Sequence, residues 1–227
     1  MSKSKDSFKQ MRIVCMTNDA QLPMMKNMLN SAMQAGIPMN LFHCYLLDSQ
    51  KEVAIYGSSQ FNSITLKKLE IIKMNMALDR EVLWVDNDIV FFENCLEDVL
   101  SKRGNFVMQD DLWGACTGFF LARSSGFSLS VLQKSIDWLS KSTNKRVNDQ
   151  HAFNRVYPQV VGIIVTKLST EEYPNGEIYF NKGLMSKAKI VHCNYLTTTA
   201  EKVQRFKDHG LWDETDTAFE KTNRYAF

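Results

Sequence analysis

Residues 82–92 read Val-Leu-Trp-Val-Asp-Asn-Asp-Ile-Val-Phe-Phe, with two carboxylates one residue apart inside an apolar run. Such a run belongs in an interior, and each unpaired charge buried there costs several kcal/mol, on the order of the desolvation penalty of a carboxylate. In an extended chain residues i and i+2 point the same way, so the spacing predicts that Asp86 and Asp88 share a face, with Asn87 opposite. In open parallel sheets ligands bind beyond the carboxyl ends of the strands. Two carboxylates at such an edge call for a cation. Their oxygens suit a hard divalent ion, Mg²⁺ or Mn²⁺, of the kind that bridges to substrate phosphates. A salt-bridged or capping acid pair is the plainer reading.

The surrounding pattern is α/β. Residues 12–16 read as a first strand ending in the polar turn Thr17-Asn18-Asp19. Residues 22–36 follow with apolar positions at helical spacing, Pro23 in the first turn and Gly36 as a stop. A buried strand over 40–48, a helix over 64–78 and the acid strand complete a β-α-β-α-β order, which predicts a parallel sheet with helices on both faces. Further strands are expected over 105–111, 116–123, 160–168 and 189–196. Helices are expected over 125–142 and 200–210, and turn chemistry at Pro174-Asn175-Gly176. Met24, Met25, Met28 and Met33 read as core packing.

The 227 residues suit one α/β domain with a full core, and 44% hydrophobic with 23% charged residues is ordinary for a soluble globular protein. A net charge of +2 and dispersed basic residues argue against a nucleic-acid partner. No window approaches a membrane span. The five cysteines, Cys15, Cys44, Cys95, Cys116 and Cys193, include no C-x-x-C pair and read as buried free thiols. With no leader and no N-x-[ST] sequon, they point to a reducing, cytoplasmic location, the host cytoplasm if the chain is virus-encoded.

Several motifs occur in a fixed order along residues 12–212. Lys68 and Lys73 lie on the helix before the acid strand. Then come Asp86-Asn87-Asp88, Cys116-Thr117-Gly118-Phe119, Asn148-Asp149-Gln150, His192-Cys193-Asn194, Lys202 and Gly210-Leu211-Trp212. This set resembles the nucleotide-diphospho-sugar transferases with a GT-A-like fold, a family that includes plant cell-wall xylosyltransferases; a chlorella-virus capsid glycosyltransferase is similar in size and layout.

The resemblance implies a single domain over 1–227 with a mixed, mostly parallel sheet. Its nucleotide-binding half, about 10–112, would be Rossmann-like, and its acceptor-binding half would cover about 113–215. It further implies a UDP-sugar donor, a glycan or glycoprotein acceptor, and Mn²⁺ or Mg²⁺ held by Asp86, Asp88 and His192. Imidazole in the set tilts the choice toward Mn²⁺. Thr17, Asn18, Asp19, Lys68, Asp86, Asn87, Gly118 and Lys202 would bind the donor, with Lys202 on the diphosphate. Asp110, Asp111, Asp149 and Gln150 would face the sugar and acceptor, one carboxylate serving as general base. Gly118 would let the backbone approach the sugar, and Asp149 has the alternative of capping the next helix. The chain departs from the family at Thr198, where a glycine is common.

Two other readings compete. D-x-D-x-V also opens haloacid-dehalogenase-type phosphatases, with Asp86 as nucleophile and Asp88 as acid, but that fold needs the motif on its first strand. A non-enzymatic nucleotide- or sugar-binding module would explain the fold and not the clustering of acids and His192.

Overall fold

The computed structural model describes residues 10–47, 58–144, 146–183 and 186–227. In chain order its elements are β1 (Met11–Thr17), α1 (Leu22–Gln34), β2 (Phe42–Leu46), α2 (Ser59–Met76), β3 (Glu81–Val85), β4 (Ile89–Phe91) and α3 (Leu96–Ser101). There follow β5 (Phe106–Asp110), β6 (Ala115–Arg123), α4 (Gly126–Ser140), α5 (Asp149–Val156), β7 (Val165–Lys167), β8 (Ile190–His192), α6 (Thr199–Asp208) and β9 (Asn223–Ala226). Seven strands form one sheet in the order β7-β5-β6-β3-β1-β2-β9, and β4 and β8 form a second, two-stranded sheet. The pairs β1–β2, β1–β3, β2–β9 and β5–β7 are parallel; β3–β6 and β5–β6 are antiparallel. The mixed, mostly parallel sheet matches the expectation.

Both faces of the large sheet are apolar, with a period of two. Ile13, Cys15, Leu83, Val85, Phe119 and Leu121 pack on one side with Met25, Met28 and Leu29 of α1. Val14, Val82, Trp84, Phe120 and Ala122 pack on the other with residues of α2, α4 and α5. Met25 and Met28 of α1 are core residues as expected, Met33 packs partly buried against them, and Met24 is buried at the edge of a cavity. All five cysteines are free and buried. Gly36 ends α1 at φ +80°, a backbone region that favours glycine.

The apolar run at 82–92 is not one strand. The main sheet holds it only to Val85, where Val85 pairs with Phe119. The chain then turns through Asp86-Asn87-Asp88, and Ile89–Phe91 pairs with β8 instead. The two acids are therefore neighbours across a turn, not along a pleat. The expected strand at 160–168 shrinks to Val165–Lys167, because Gly162 takes φ +85° and leaves Val161 and Ile164 exposed. The strand expected to end at Asp48 pairs from Phe42 to Leu46, and Asp48 lies outside the described residues. The short helix α3 and the edge strand β9 were not expected.

Asp98 ties α3 to the small sheet. It accepts from Tyr173 Oη at 2.6 Å and pairs with Lys102 at 2.9 Å and with Lys189, just before β8, at 3.0 Å. Burial alone would raise its pKa; the hydrogen bonds from Tyr173, Lys102 and Lys189 outweigh that and hold it down at about 2. A depressed carboxylate stabilises the fold above its unfolded pKa, and that contribution is lost as pH falls. Asp98→Asn is expected to lower stability at neutral pH by on the order of 1 kcal/mol, with the difference from wild type vanishing between about pH 4 and pH 2. Urea titrations across that range test this, and a difference independent of pH would contradict it.

Candidate functional site

A cavity of about 520 Å³ opens where the carboxyl end of β3 meets β6, β8, α2, α5 and α6. The turn after β3 carries Asp86 and Asp88 to its floor. Main-chain bonds fix both: Asp86 N donates to Gly118 O at 2.8 Å, and Cys193 N donates to Asp88 O at 2.8 Å. The β4–β8 register sets Ile89 opposite His192, so the imidazole arrives beside Asp88. Ligand atoms of Asp86, Asp88 and His192 lie within 4.8 Å of one another.

Charge in this cavity is unbalanced. Its wall includes Asp86, Asp88, Asp111 and Asp149 but only two lysines, Lys68 and Lys202. Lys68 is buried between Asp86 and Asp149, 3.0 Å from each, and lies 5.1 Å from the ring centre of Trp84. Burial would lower the Lys68 pKa, but the charges of Asp149 and Asp86 outweigh it and keep the ammonium protonated. Trp84 Nε1 donates to Asp86 Oδ1 at 2.6 Å.

The two acids of the turn are pushed apart. Burial raises the Asp86 pKa against the pull of Lys68, and the charge of Asp88 adds to the rise. At Asp88 burial also acts upward, but Lys202 at 2.6 Å and His192 Nε2 at 3.2 Å outweigh it and hold the carboxyl far below its ordinary range. His192 is the counterpart: burial would lower its pKa, and Asp88 holds it well above the usual value.

Asp111 is held on both oxygens. Gln150 Nε2 donates to Oδ2 at 2.8 Å and Asn194 Nδ2 to Oδ1 at 2.9 Å, while Gln150 Oε1 accepts from Thr117 N at 3.2 Å. Among the described residues the two non-glycine residues with left-handed backbone, Leu112 and Tyr195, both flank Asp111, and Tyr195 Oη donates to its carbonyl. Strained residues of this kind concentrate at functional sites. Trp113, almost fully exposed, sits on the same loop.

Most of the expected site residues converge here: Lys68, Asp86, Asn87, Asp88, Asp111, Gly118, Asp149, Gln150, His192 and Lys202 all line the cavity. Four do not. Asp110 turns away to pair with Lys167 at 2.9 Å. Thr17 donates to Asn18 O, and Asn18 caps the single helical turn that begins at Asp19. Met16, Gln21 and Met24 from that region, with Phe61, Ile64 and Thr65 of α2, supply the apolar end of the cavity instead.

Asp149 does not cap α5; Asn148 does, accepting from His151 N. That leaves the Asp149 carboxylate for Lys68. Thr198 caps α6 in a reciprocal capping box with Glu201, so a threonine suits this position and sets Lys202 one turn further on. Trp84 and Gln109 were not singled out by the sequence, and Asn194 stood in a motif without a role of its own. Gln109 carried the same signal as the acids, a polar side chain inside an apolar run.

The chain belongs to the nucleotide-diphospho-sugar transferase family, which matches residues 22–206. It is 37% identical over 204 residues to a UDP-D-xylose:L-fucose alpha-1,3-D-xylosyltransferase of Arabidopsis thaliana, covering 77% of this chain and 55% of that protein. It is 27% identical over 201 residues to the UDP-galactose:fucoside alpha-3-galactosyltransferase of Dictyostelium discoideum, covering 71% of this chain and 30% of the other. The chain thus spans about half, or less, of the length of these curated relatives.

Among solved structures it resembles the glycosyltransferase involved in glycosylation of the major capsid of PBCV-1. That match has a TM-score of 0.58 at 12% identity and covers 87% of this chain and 99% of the other. It also resembles the galactosyltransferase LgtC in complex with donor and acceptor sugar analogues, with a TM-score of 0.60 at 11% identity over 88% and 94%. At these identities the likeness is one of fold, the GT-A fold. The phosphatase reading fails with it, because the acid motif follows the third strand and not the first.

Gly118 leaves no room for a side chain: a Cβ there would stand 2.2 Å from His192 Cε1 and 2.9 Å from Asp86 Oδ2. Gly118→Ala is expected to destabilise the fold by about 1–3 kcal/mol through overpacking, read by urea denaturation. Lys68→Met strands two carboxylates and is expected to cost about 3–5 kcal/mol. A loss below about 1 kcal/mol would mean that Lys68 does not hold the buried charges together.

Proposed function

We propose that this chain transfers a sugar from a UDP-sugar to a hydroxyl of a glycan or glycoprotein acceptor, with Mn²⁺ or Mg²⁺ held by Asp86, Asp88 and His192. The observation that carries this reading is the convergence of those three side chains in a cavity whose carboxylates outnumber its lysines. Two carboxylates and an imidazole are a donor set for a hard to borderline divalent ion. The missing side chain at Gly118 makes the cradle in which they meet. Asn87 Oδ1, buried in the same wall, has no hydrogen-bond donor among the described residues. When bound, the cation would offset charge on the departing diphosphate.

The chain's own residues supply the rest. Lys202, at the cavity wall on α6, is placed to take the diphosphate. The apolar end formed by Met16, Met24, Phe61 and Ile64 suits the nucleoside in place of Thr17, Asn18 and Asp19. Asp111, oriented by Gln150 and Asn194, is the carboxylate best placed to order sugar hydroxyls or accept the acceptor's proton. Asp149 is engaged by Lys68 and serves as its counter-charge. Residues of both expected halves line the cavity, in keeping with a nucleotide-binding half and an acceptor-binding half. The relatives named above use UDP-xylose or UDP-galactose and a fucose or fucoside acceptor, which makes L-fucosyl glycans the first acceptors to try. Five buried free thiols fit a reducing compartment.

The test is a panel of UDP-sugars with a fucoside acceptor, product read by mass. Wild type should turn over at least one donor, and Asp88→Asn should lose at least about a hundredfold in rate. Wild-type rates in Asp88→Asn would contradict the cation site, and no product with any donor would favour a binding module. Lys202→Ala should remain folded, with some loss of stability because it unpairs buried Asp88, and should weaken UDP binding by about tenfold or more; unchanged UDP affinity in the folded variant would return Lys202 to a structural role.

A further inference from the structure

Gln109 lies on β5 of the large sheet and is wholly buried. Its amide is fully engaged. Nε2 donates to Tyr173 O at 3.1 Å and to Pro174 O at 3.0 Å, and Oε1 stands 2.8 Å from His192 Nδ1. Turning the amide over would set its oxygen against two carbonyl oxygens and its NH₂ against the imidazole. The two carbonyls therefore decide which end of the amide faces His192, and an oxygen at Nδ1 requires a proton on Nδ1.

The strand is bent to achieve this. The β5–β6 register jumps between Met108, opposite Phe120, and Gln109, opposite Cys116. Thr117, Gly118 and Phe119 fall between the two registers, and Gly118 is the residue on which the imidazole packs. Bulges re-aim side chains next to active sites. Here one irregularity delivers both the amide that holds one edge of the ring and the glycine that makes room for its other edge. Cys116 Sγ, 3.6 Å from Nδ1, closes the same side.

We propose that Gln109 is a positioning residue that fixes His192 in its Nδ1–H tautomer, so that the Nε2 lone pair faces the cavity beside Asp86 and Asp88. The inference rests on reading those three residues as a cation site, and it adds the group that aims the third ligand. Without a cation Nε2–H pairs with Asp88, 3.2 Å away; a cation would take the place of that proton, while the proton on Nδ1 stays on Gln109. A neutral imidazole free to choose its tautomer would present N–H instead of a lone pair for part of the time and would also rotate. Partners of this kind typically change metal affinity by about 10–100-fold.

Two measurements decide it. The first is the nitrogen-15 spectrum of the His192 ring in wild type at alkaline pH, where the ring is neutral, assigned by comparison with His192→Asn. A pyrrole-type Nδ1 and a pyridine-type Nε2 are expected, and the reverse tautomer overturns the proposal. The second is Gln109→Met, which keeps the volume and removes the acceptor. It should remain folded, show a mixture of tautomers, and bind Mn²⁺ about 10–100-fold more weakly by calorimetry. A folded Gln109→Met with the wild-type tautomer and Mn²⁺ affinity also overturns it. If that variant does not fold, the wild-type spectrum alone decides. Failure of wild type to bind Mn²⁺ would contradict the proposed function, while the tautomer would still decide for or against Gln109.

Discussion

Lys68 stands buried between Asp86 and Asp149, and the site depends on that contact. A single ammonium on α2 holds the turn that leaves β3 and the first residue of α5. It neutralises one charge where two carboxylates converge. Asp88 is matched separately, by Lys202 and His192. Asp111 is held by amides and not by a cation. The result is a cavity in which every carboxylate is tied down and carboxylates outnumber lysines. Such an arrangement is costly to bury unless something positive completes it.

The two sheets make the convergence possible. Were 82–92 one strand, Asp86 and Asp88 would follow the main sheet and no element would bring a histidine to them. Because the chain turns at Asp86-Asn87-Asp88 and continues into the small sheet, β8 comes to lie alongside, and the pairing of Ile89 with His192 fixes the third side chain. Asp98, Tyr173 and Lys189 pin that sheet to α3. Lys202 follows from the cap at Thr198, which sets the start of α6. Local sequence choices far from the acids thus set distances among them.

Much of this was legible beforehand. A polar residue inside an apolar strand is a strong signal, since burial penalises it whatever the fold, and Asp86 and Asp88 carried it. The β-α-β-α-β order was equally plain, because period-two and period-3.6 patterns do not imitate each other over such lengths. The split of the acid strand was hidden: an apolar run looks the same whether its halves pair in one sheet or two. Asp110 and Asp111 are adjacent and chemically identical. Only the left-handed backbone at Leu112 and the pairing of Asp110 with Lys167 separate the one that faces out from the one that faces in. Gln109 carried a weaker signal of the same kind, because amides bury more readily than acids. The strand β9 could not be read, because its residues are exposed and it pairs with a strand far away in sequence, His43 opposite Asn223.

Under the proposed function this cavity binds a nucleoside diphosphate through a divalent cation. Calorimetric titration of UDP into the protein, first with Mn²⁺ and then with EDTA, tests it most directly. Saturable binding with Mn²⁺ that disappears with EDTA is the predicted result. Equal binding in both conditions, or none in either, would contradict it.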